Sequence, residues 1–217
     1  MIQIIYCHPS KKGHCGKILK NLTESLDKRR KKYEIMDLYQ MNFDPCYSKE
    51  EYKRIAKRDH TLEKDVKKAQ DKLKKADTWI FIYPTWWYNM PARLKGFMDR
   101  VFVPGFAYNF FRVSKPMLFA AWLLSFIQGV RYLMQPYSAK GHLGDKKAII
   151  FRSYGGPKLG KRVFGNTPTV LENVILRFCG LTDITVHELF NCDKDTYTQT
   201  YEDRYLKGVR KIAQKAR

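Results

Sequence analysis

Apolar positions along this chain follow two alternating rhythms, short unbroken runs and longer stretches with a period near 3.6. The runs 2-IQIIYC-7, 33-YEIMDL-38, 78-TWIFIY-83 and 148-AIIF-151, with a further one over 184–190, predict strands. The run at 78–83, bounded by Asp77 and Pro84, is apolar throughout, as a central parallel strand covered on both faces requires. Between the runs, Ile18, Leu19, Leu22 and Leu26 form the inner face of a helix over about 15–31, and Lys28 to Lys32 suit the negative pole of its macrodipole. A long helical stretch within 48–76 turns Val66, Ala69, Leu73 and Ala76 inward and its lysines outward. Pro91 opens a helix with Leu94, Phe97, Met98 and Val101 on one side. Thr167-Pro168 starts another, with Val170, Leu171, Val174, Ile175 and Phe178 as core face and Gly180 as stop, and a last helix buries Tyr201, Tyr205, Val209, Ile212 and Ala216. This alternation predicts an α/β fold, a doubly wound parallel sheet of five strands with helices on both faces, because each right-handed crossover needs a helix to return the chain. The 217 residues fit one domain, and no linker-like stretch or repeat divides them.

One segment breaks the rhythm. An insertion at about 111–145 is longer and more apolar than a connection needs, and it contains 117-MLFAAWLLSFI-127. That run falls short of the roughly 20 apolar residues a spanning helix requires. It reads as a helix buried in a dimer, a lid over a ligand site, or an amphipathic anchor contacting a membrane surface through 116–134.

Charge sharpens the question of partners. Forty-one Lys and Arg against 21 Asp and Glu leave a formal charge of +20, a field that attracts phosphates, anionic lipids or nucleic acid. Neither a nucleic-acid-binding module nor aromatics interleaved with Lys and Arg on one surface is present, so no nucleic-acid partner is expected. Cys7, Cys15, Cys46, Cys179 and Cys192 are odd in number and form no C-x-x-C pair, which predicts reduced thiols, no disulfide framework and no zinc site. The first residues read as a strand and not as a signal peptide, so the expected location is cytoplasmic, with membrane association as an added option.

In a doubly wound sheet, ligands bind beyond the carboxyl ends of the strands, which directs attention to the loops 8–16, 84–90 and 152–167. In 8-HPSKKGHCGK-17 a polar turn leads into a helix amino terminus, a natural phosphate site, although such loops are common and this one is neither a P-loop nor a G-x-G-x-x-G fingerprint. Trp86 and Trp87 either wall a planar ring or pack between helices. Phe106, Tyr108 and Phe110 carry the same two readings. Gly155 and Gly156 allow close backbone approach to a ring edge or a phosphate, with a plain mobile loop as the competing reading.

The segment 36-MDLYQMNFDP-45 resembles the D-L-Y-x-x-x-F-[DN]-P element of the flavodoxin-like NAD(P)H:quinone oxidoreductases, the family that includes modulator of drug activity B. Residues 83-YPTWWYNMPARLKGFMDRVFVPGFAY-108 are similar to that family's F-P-x-x-W-x-x-x-P-A-x-L-K-G-x-x-[DE]-R-V-F-x-x-x-F-A-Y pattern, and Gly155-Gly156 and 178-FCG-180 follow in order. The resemblance implies a flavodoxin-like fold and a flavin, FAD or else FMN. It implies that NAD(P)H gives a hydride to the flavin N5 and that a quinone or similar acceptor then takes two electrons at the same position. By position, His8, His14 and Cys15 would line the phosphate end, Thr85, Trp86, Trp87 and Tyr88 would hold the isoalloxazine, and Ser153, Tyr154, Gly155 and Gly156 would flank its other edge. Ala107, Tyr108 and Phe110 would border the acceptor across a homodimer interface. The family's chemistry resides in the flavin, so no side chain is assigned as catalytic. Lys161 and Thr167 stand where some mammalian members place Tyr and His, and the first loop lacks the Ser and Asn that often bind phosphate. A flavin-binding accessory or electron carrier regulating a membrane partner is the alternative reading.

Overall fold

The computed structural model describes residues 1–217 apart from 58, 60, 125, 127–138, 164–169, 194–197 and 217. Along the chain run β1 (Ile2–Tyr6), α1 (His14–Lys28), β2 (Tyr33–Asp37), α2 (Lys49–Ala56), α3 (Lys64–Lys75), β3 (Thr78–Pro84) and α4 (Ala92–Val101). Then come β4 (Tyr108–Phe110), α5 (Lys115–Leu124), β5 (Ala139–Gly141), β6 (Lys147–Ser153), α6 (Lys158–Val163), a π-helical segment (Val170–Leu176), β7 (Asp183–Leu189) and α7 (Gln199–Lys215).

Five strands pair in parallel in the order β2-β1-β3-β6-β7, as the alternating pattern predicts. The chain winds outward from β1 in one direction and from β3 in the other, so the switch point lies between those two strands. Side-chain alternation divides the core between the two faces. Ile5, Phe81 and Ile150 pack with Val66, Leu94 and Leu171 on one side. Ile4, Ile80, Ile82 and Ile149 pack with α1 and α7 through Ile18, Leu22, Leu26 and Val209 on the other. Burying a side chain such as Leu22 or Leu26 contributes roughly 2 kcal/mol, which exceeds what α1 gains from intrinsic propensity alone.

Three departures have physical causes. The helical stretch within 48–76 is two helices, because Asp59 turns the chain between them by accepting the Thr61 N–H at 2.9 Å. Arg100 of α4 then ties them together, its Nε 3.0 Å from Glu51 of α2 and its Nη1 2.8 Å from Asp65 of α3. At 170–176 Leu171 is buried and Val170, Ile175 and Phe178 pack against the core as the apolar stripe predicts, but the π winding shifts the phase of the face, so Val174 is exposed and Glu172 turns inward. The start of that segment at Thr167-Pro168 lies outside the described residues.

The third departure is an antiparallel hairpin of β4 and β5 that closes the base of the insertion. It is pinned to the body where the Leu143 N–H reaches the Cys179 carbonyl at 2.9 Å and where Tyr108 meets Phe178 edge-on at 4.8 Å. Of the apolar run 117–127, residues 117–124 fall within α5 and Phe126 follows in a turn; 125, 127 and the remainder of the 116–134 membrane-contact segment lie outside the described residues. Among the described residues no helix is long and apolar enough to cross a membrane.

Candidate functional site at the carboxyl edge of the sheet

Three loops leave β1, β3 and β6 at the same edge and are laced to one another. The Cys7 N–H reaches the Ile82 carbonyl at 2.9 Å, and the Thr85 N–H reaches the Ser153 carbonyl at 2.7 Å. His8 of the first loop lies with its ring centroid 6.3 Å from that of Trp86. Cys15, at the start of α1, approaches the Ser153 hydroxyl at 3.5 Å. His8, Trp86 and Ser153 thus fall around one point above the switch between β1 and β3.

The first loop is folded by its own polar atoms. His8 Nδ1 accepts the Ser10 N–H at 3.0 Å, and Ser10 Oγ accepts the Lys12 N–H at 3.2 Å. Gly16 is required by this fold, since a Cβ there would sit 1.8 Å from the Lys11 carbonyl oxygen. Gly13 caps α1 without a side-chain hydrogen bond, and no acidic residue occupies the first turn, so no side chain of the helix itself competes for an anion at its amino terminus. His14 is held by Glu202 of α7 at 3.0 Å and Lys17 by the other oxygen of that carboxylate at 2.7 Å. Lys11 pairs with Asp37 at the end of β2 at 3.0 Å. Cys15 sits beneath the loop, and burial pushes its thiol up to about 11, so it stays protonated at neutral pH.

The loop after β3 stores backbone strain. Trp86 and Asn89 exchange two N–H to carbonyl bonds of 2.9 Å, closing a tight turn whose central residues, Trp87 and Tyr88, have φ of 48° and 55°. Glycine or asparagine ordinarily fills such positions, and bulky aromatics there are conformational outliers of the kind that gathers at binding sites. Trp87 is 97% exposed, which rules out the reading that it packs between helices, and Trp86 and Tyr88 are also exposed. Beside them the Thr85 hydroxyl is buried with no hydrogen-bond partner. A buried hydroxyl of this kind is costly unless a ligand atom meets it.

Across the site, the loop after β6 is fixed in place by backbone bonds. Tyr154 donates its N–H to Leu189 O at 2.8 Å, and Gly156 O accepts the Asn191 N–H at 3.0 Å. The Tyr154 ring stacks on Phe190 at 4.8 Å, and its hydroxyl donates to Glu188 at 2.8 Å. At Gly155 and Gly156 an added Cβ would meet nothing within 4 Å. Neither a close neighbour nor a positive φ explains glycine at these two positions, whereas a planar ring lying against the backbone would.

Below this loop lies a network that periodicity gave no means of finding. Arg152, almost wholly buried, reaches Glu172 at 3.0 Å and Glu188 at 2.8 Å. Glu202 was equally hidden, although a carboxylate inside the apolar stripe of α7 between Tyr201 and Tyr205 is the sort of signal that marks a buried partner. Ala107, Tyr108 and Phe110 belong to the base of the insertion. Ala107 is fully buried, Tyr108 packs edge-on against Phe110 at 5.2 Å, and only Tyr108 and Phe110 present surface to a ligand. Among the described residues no cluster of His, Cys, Asp and Glu could hold a metal ion.

Comparison with known proteins agrees with this architecture. The chain is 35% identical over 107 residues to an uncharacterized NAD(P)H oxidoreductase of Haemophilus influenzae, covering 49% of this chain and 52% of that protein. It is 33% identical over 125 residues to the ribosyldihydronicotinamide dehydrogenase [quinone] of Mus musculus, covering 50% of this chain and 53% of the relative. The matches thus span about half the length of these curated relatives. Among solved structures, an NAD(P)H:quinone oxidoreductase from Methanothermobacter marburgensis superposes with a TM-score of 0.77 at 26% identity, covering 98% of this chain and 94% of that one. Smu.1420 from Streptococcus mutans superposes with a TM-score of 0.76 at 28% identity, covering 99% and 98%. A family model described as the flavodoxin-like fold matches residues 1–211, nearly the whole chain. Together with the strand order and the ligand edge it creates, that match shows that this chain belongs to the flavodoxin-like fold family.

Proposed function

We propose that this chain is a flavin-dependent NAD(P)H oxidoreductase that passes two electrons to a quinone or similar acceptor. The observation that carries the reading is the pairing, on adjacent strands, of a left-handed aromatic turn at Trp87 and Tyr88 with an open glycine backbone at Gly155 and Gly156. The buried, unsatisfied hydroxyl of Thr85 between them supports it. Two of the relatives are named as quinone dehydrogenases or reductases and a third as an NAD(P)H oxidoreductase.

In this reading a bound flavin supplies hydride chemistry between the nicotinamide and the acceptor. The chain's own residues position it. Thr85 Oγ1 and the backbone N–H groups of the 85–88 turn would meet the polar edge of the ring, and the rigid Tyr154-Gly155-Gly156 backbone would meet the opposite edge. The basic first loop around His8, Lys12 and His14 would hold phosphate. The exposed Trp86 and Trp87 would cover a ring face and keep water from it. FAD is the proposed flavin, with FMN as the other arm of the test.

The test is an absorbance spectrum of the purified protein reconstituted with FAD and with FMN, followed by anaerobic NADPH and then a quinone. Bleaching of the flavin band by NADPH and its return on adding quinone is the expected result. Failure of the folded protein to bind either flavin would overturn the assignment, and bleaching without return on quinone would favour a carrier or accessory role.

A further inference from the structure

We propose that α5, with Phe126 just beyond it, forms a membrane-docking face that seats on an anionic lipid surface. None of the ten residues of α5 is buried. Leu118, Phe119, Trp122, Leu123 and Phe126 are all exposed along the helix and the turn that follows it. Phe119 stacks on Trp122 at 5.8 Å, and Phe126 meets Trp122 edge-on at 5.2 Å, so these three rings form one aromatic surface. The helices that cover the sheet have one apolar stripe each, as Ile18, Leu22 and Leu26 show in α1. By contrast, α5 shows apolar side chains to solvent around its circumference. A contiguous exposed apolar patch of this kind marks an interaction surface.

Charge identifies the occupant. Between Asp99 and Asp145 the sequence has no carboxylate at all, while Arg112, Lys115 and Lys140 are exposed beside the helix. Lys140 lies on β5 opposite Asn109 of β4, so it sits at the foot of the same hairpin from which α5 emerges. A second copy of the chain would have to answer these cations with acids from outside the segment, since none lies between Asp99 and Asp145. An anionic membrane offers an apolar layer and negative charge in the same place. A helix of this length reaches about 15 Å, near half the hydrocarbon thickness, and having no polar face it is not the amphipathic anchor expected from the sequence but a short apolar element that enters one leaflet without spanning the bilayer.

The test is cosedimentation of the full chain with vesicles of equimolar phosphatidylcholine and phosphatidylglycerol, compared with phosphatidylcholine alone. Anionic vesicles are expected to bind on the order of tenfold more strongly, and high salt is expected to erase the difference. The double substitution Phe119→Ser and Trp122→Ser should reduce binding by at least about tenfold without altering the melting temperature, since both residues are on the surface. Arg112→Glu with Lys115→Glu should remove the preference for anionic lipid. Equal sedimentation of the wild type and the double serine variant would overturn the proposal. So would a wild-type dimer that ignores vesicles and dissociates in that variant, because the helix would then belong to a second copy of the chain.

Discussion

Nη1 of Arg152 lies 3.0 Å from Oε1 of Glu172, and both side chains are almost entirely withdrawn from solvent. Arg152 also holds Glu188, which in turn accepts the Tyr154 hydroxyl, so one guanidinium anchors β6, β7 and the π-helical segment beneath the glycine loop. Arg152→Met leaves two carboxylates without their cation, and breaking a buried ion pair from one side typically costs about 3–5 kcal/mol. Urea denaturation should show a loss of that order. Adding Glu172→Leu and Glu188→Leu should recover much of it, because the desolvation penalty is then removed together with the attraction. If Arg152→Met unfolds like the wild type, the network does not bind the three elements together.

The turn at Trp87 and Tyr88 makes an opposite prediction for stability and binding. Trp87→Gly relieves a left-handed conformation that an aromatic residue adopts at a cost of about 1 kcal/mol, and Trp87 has almost no packing to lose because it is exposed. Thermal unfolding of the ligand-free protein should shift upward by a few degrees, while affinity for the flavin should fall at least tenfold as the ring face is uncovered. A variant that gains stability and keeps full flavin affinity would show that the indole takes no part in the site.

The division between what the sequence disclosed and what it concealed follows from what periodicity measures. Apolar spacing reports burial, so the five strands and the inner faces of α1, α3 and α4 were legible residue by residue, down to Ile18, Leu73 and Phe97. It assumes an unchanging helical period, so it placed Val174 inside and missed Glu172, where the π winding shifts the face. The ligand loops could be located because a doubly wound sheet fixes where ligands approach. Their fine structure could not, because the strain at Trp87 and the unsatisfied Thr85 hydroxyl are properties of the backbone path and leave no pattern in composition. Pairs such as His14 with Glu202 join residues from opposite ends of the chain and become visible only after folding.

His187 gives the protein a pH dependence of defined sign. It stacks on Phe151 at 5.3 Å, and burial lowers its pKa from the ordinary value of 6.5. The unfolded chain therefore takes up a proton near 6.5 that the folded chain resists. This contribution to stability is fully present above about 6.5 and is lost as pH falls through the lower folded value. His187→Phe keeps an aromatic ring against Phe151 and leaves the backbone carbonyl that accepts the Tyr205 hydroxyl. Urea midpoints at about pH 7 and pH 5 should differ less in this variant than in the wild type; an unchanged difference would assign the acid sensitivity to other groups.

Glycine substitutions distinguish folding from ligand fit. At Gly16 a new methyl group would press on the Lys11 carbonyl, so Gly16→Ala should destabilise the protein by about 1–3 kcal/mol through displacement of the first loop. At Gly155 and Gly156 the same methyl group meets no protein atom within 4 Å, and the backbone there lies outside the left-handed region. Gly155→Ala and Gly156→Ala should therefore unfold within about 0.5 kcal/mol of the wild type. If a flavin ring lies against this backbone, at least one of the two must nevertheless lose about tenfold or more in flavin affinity, measured by titration of the apoprotein. Wild-type affinity in both variants would move the ring away from the β6 loop and leave those two glycines without a function in binding.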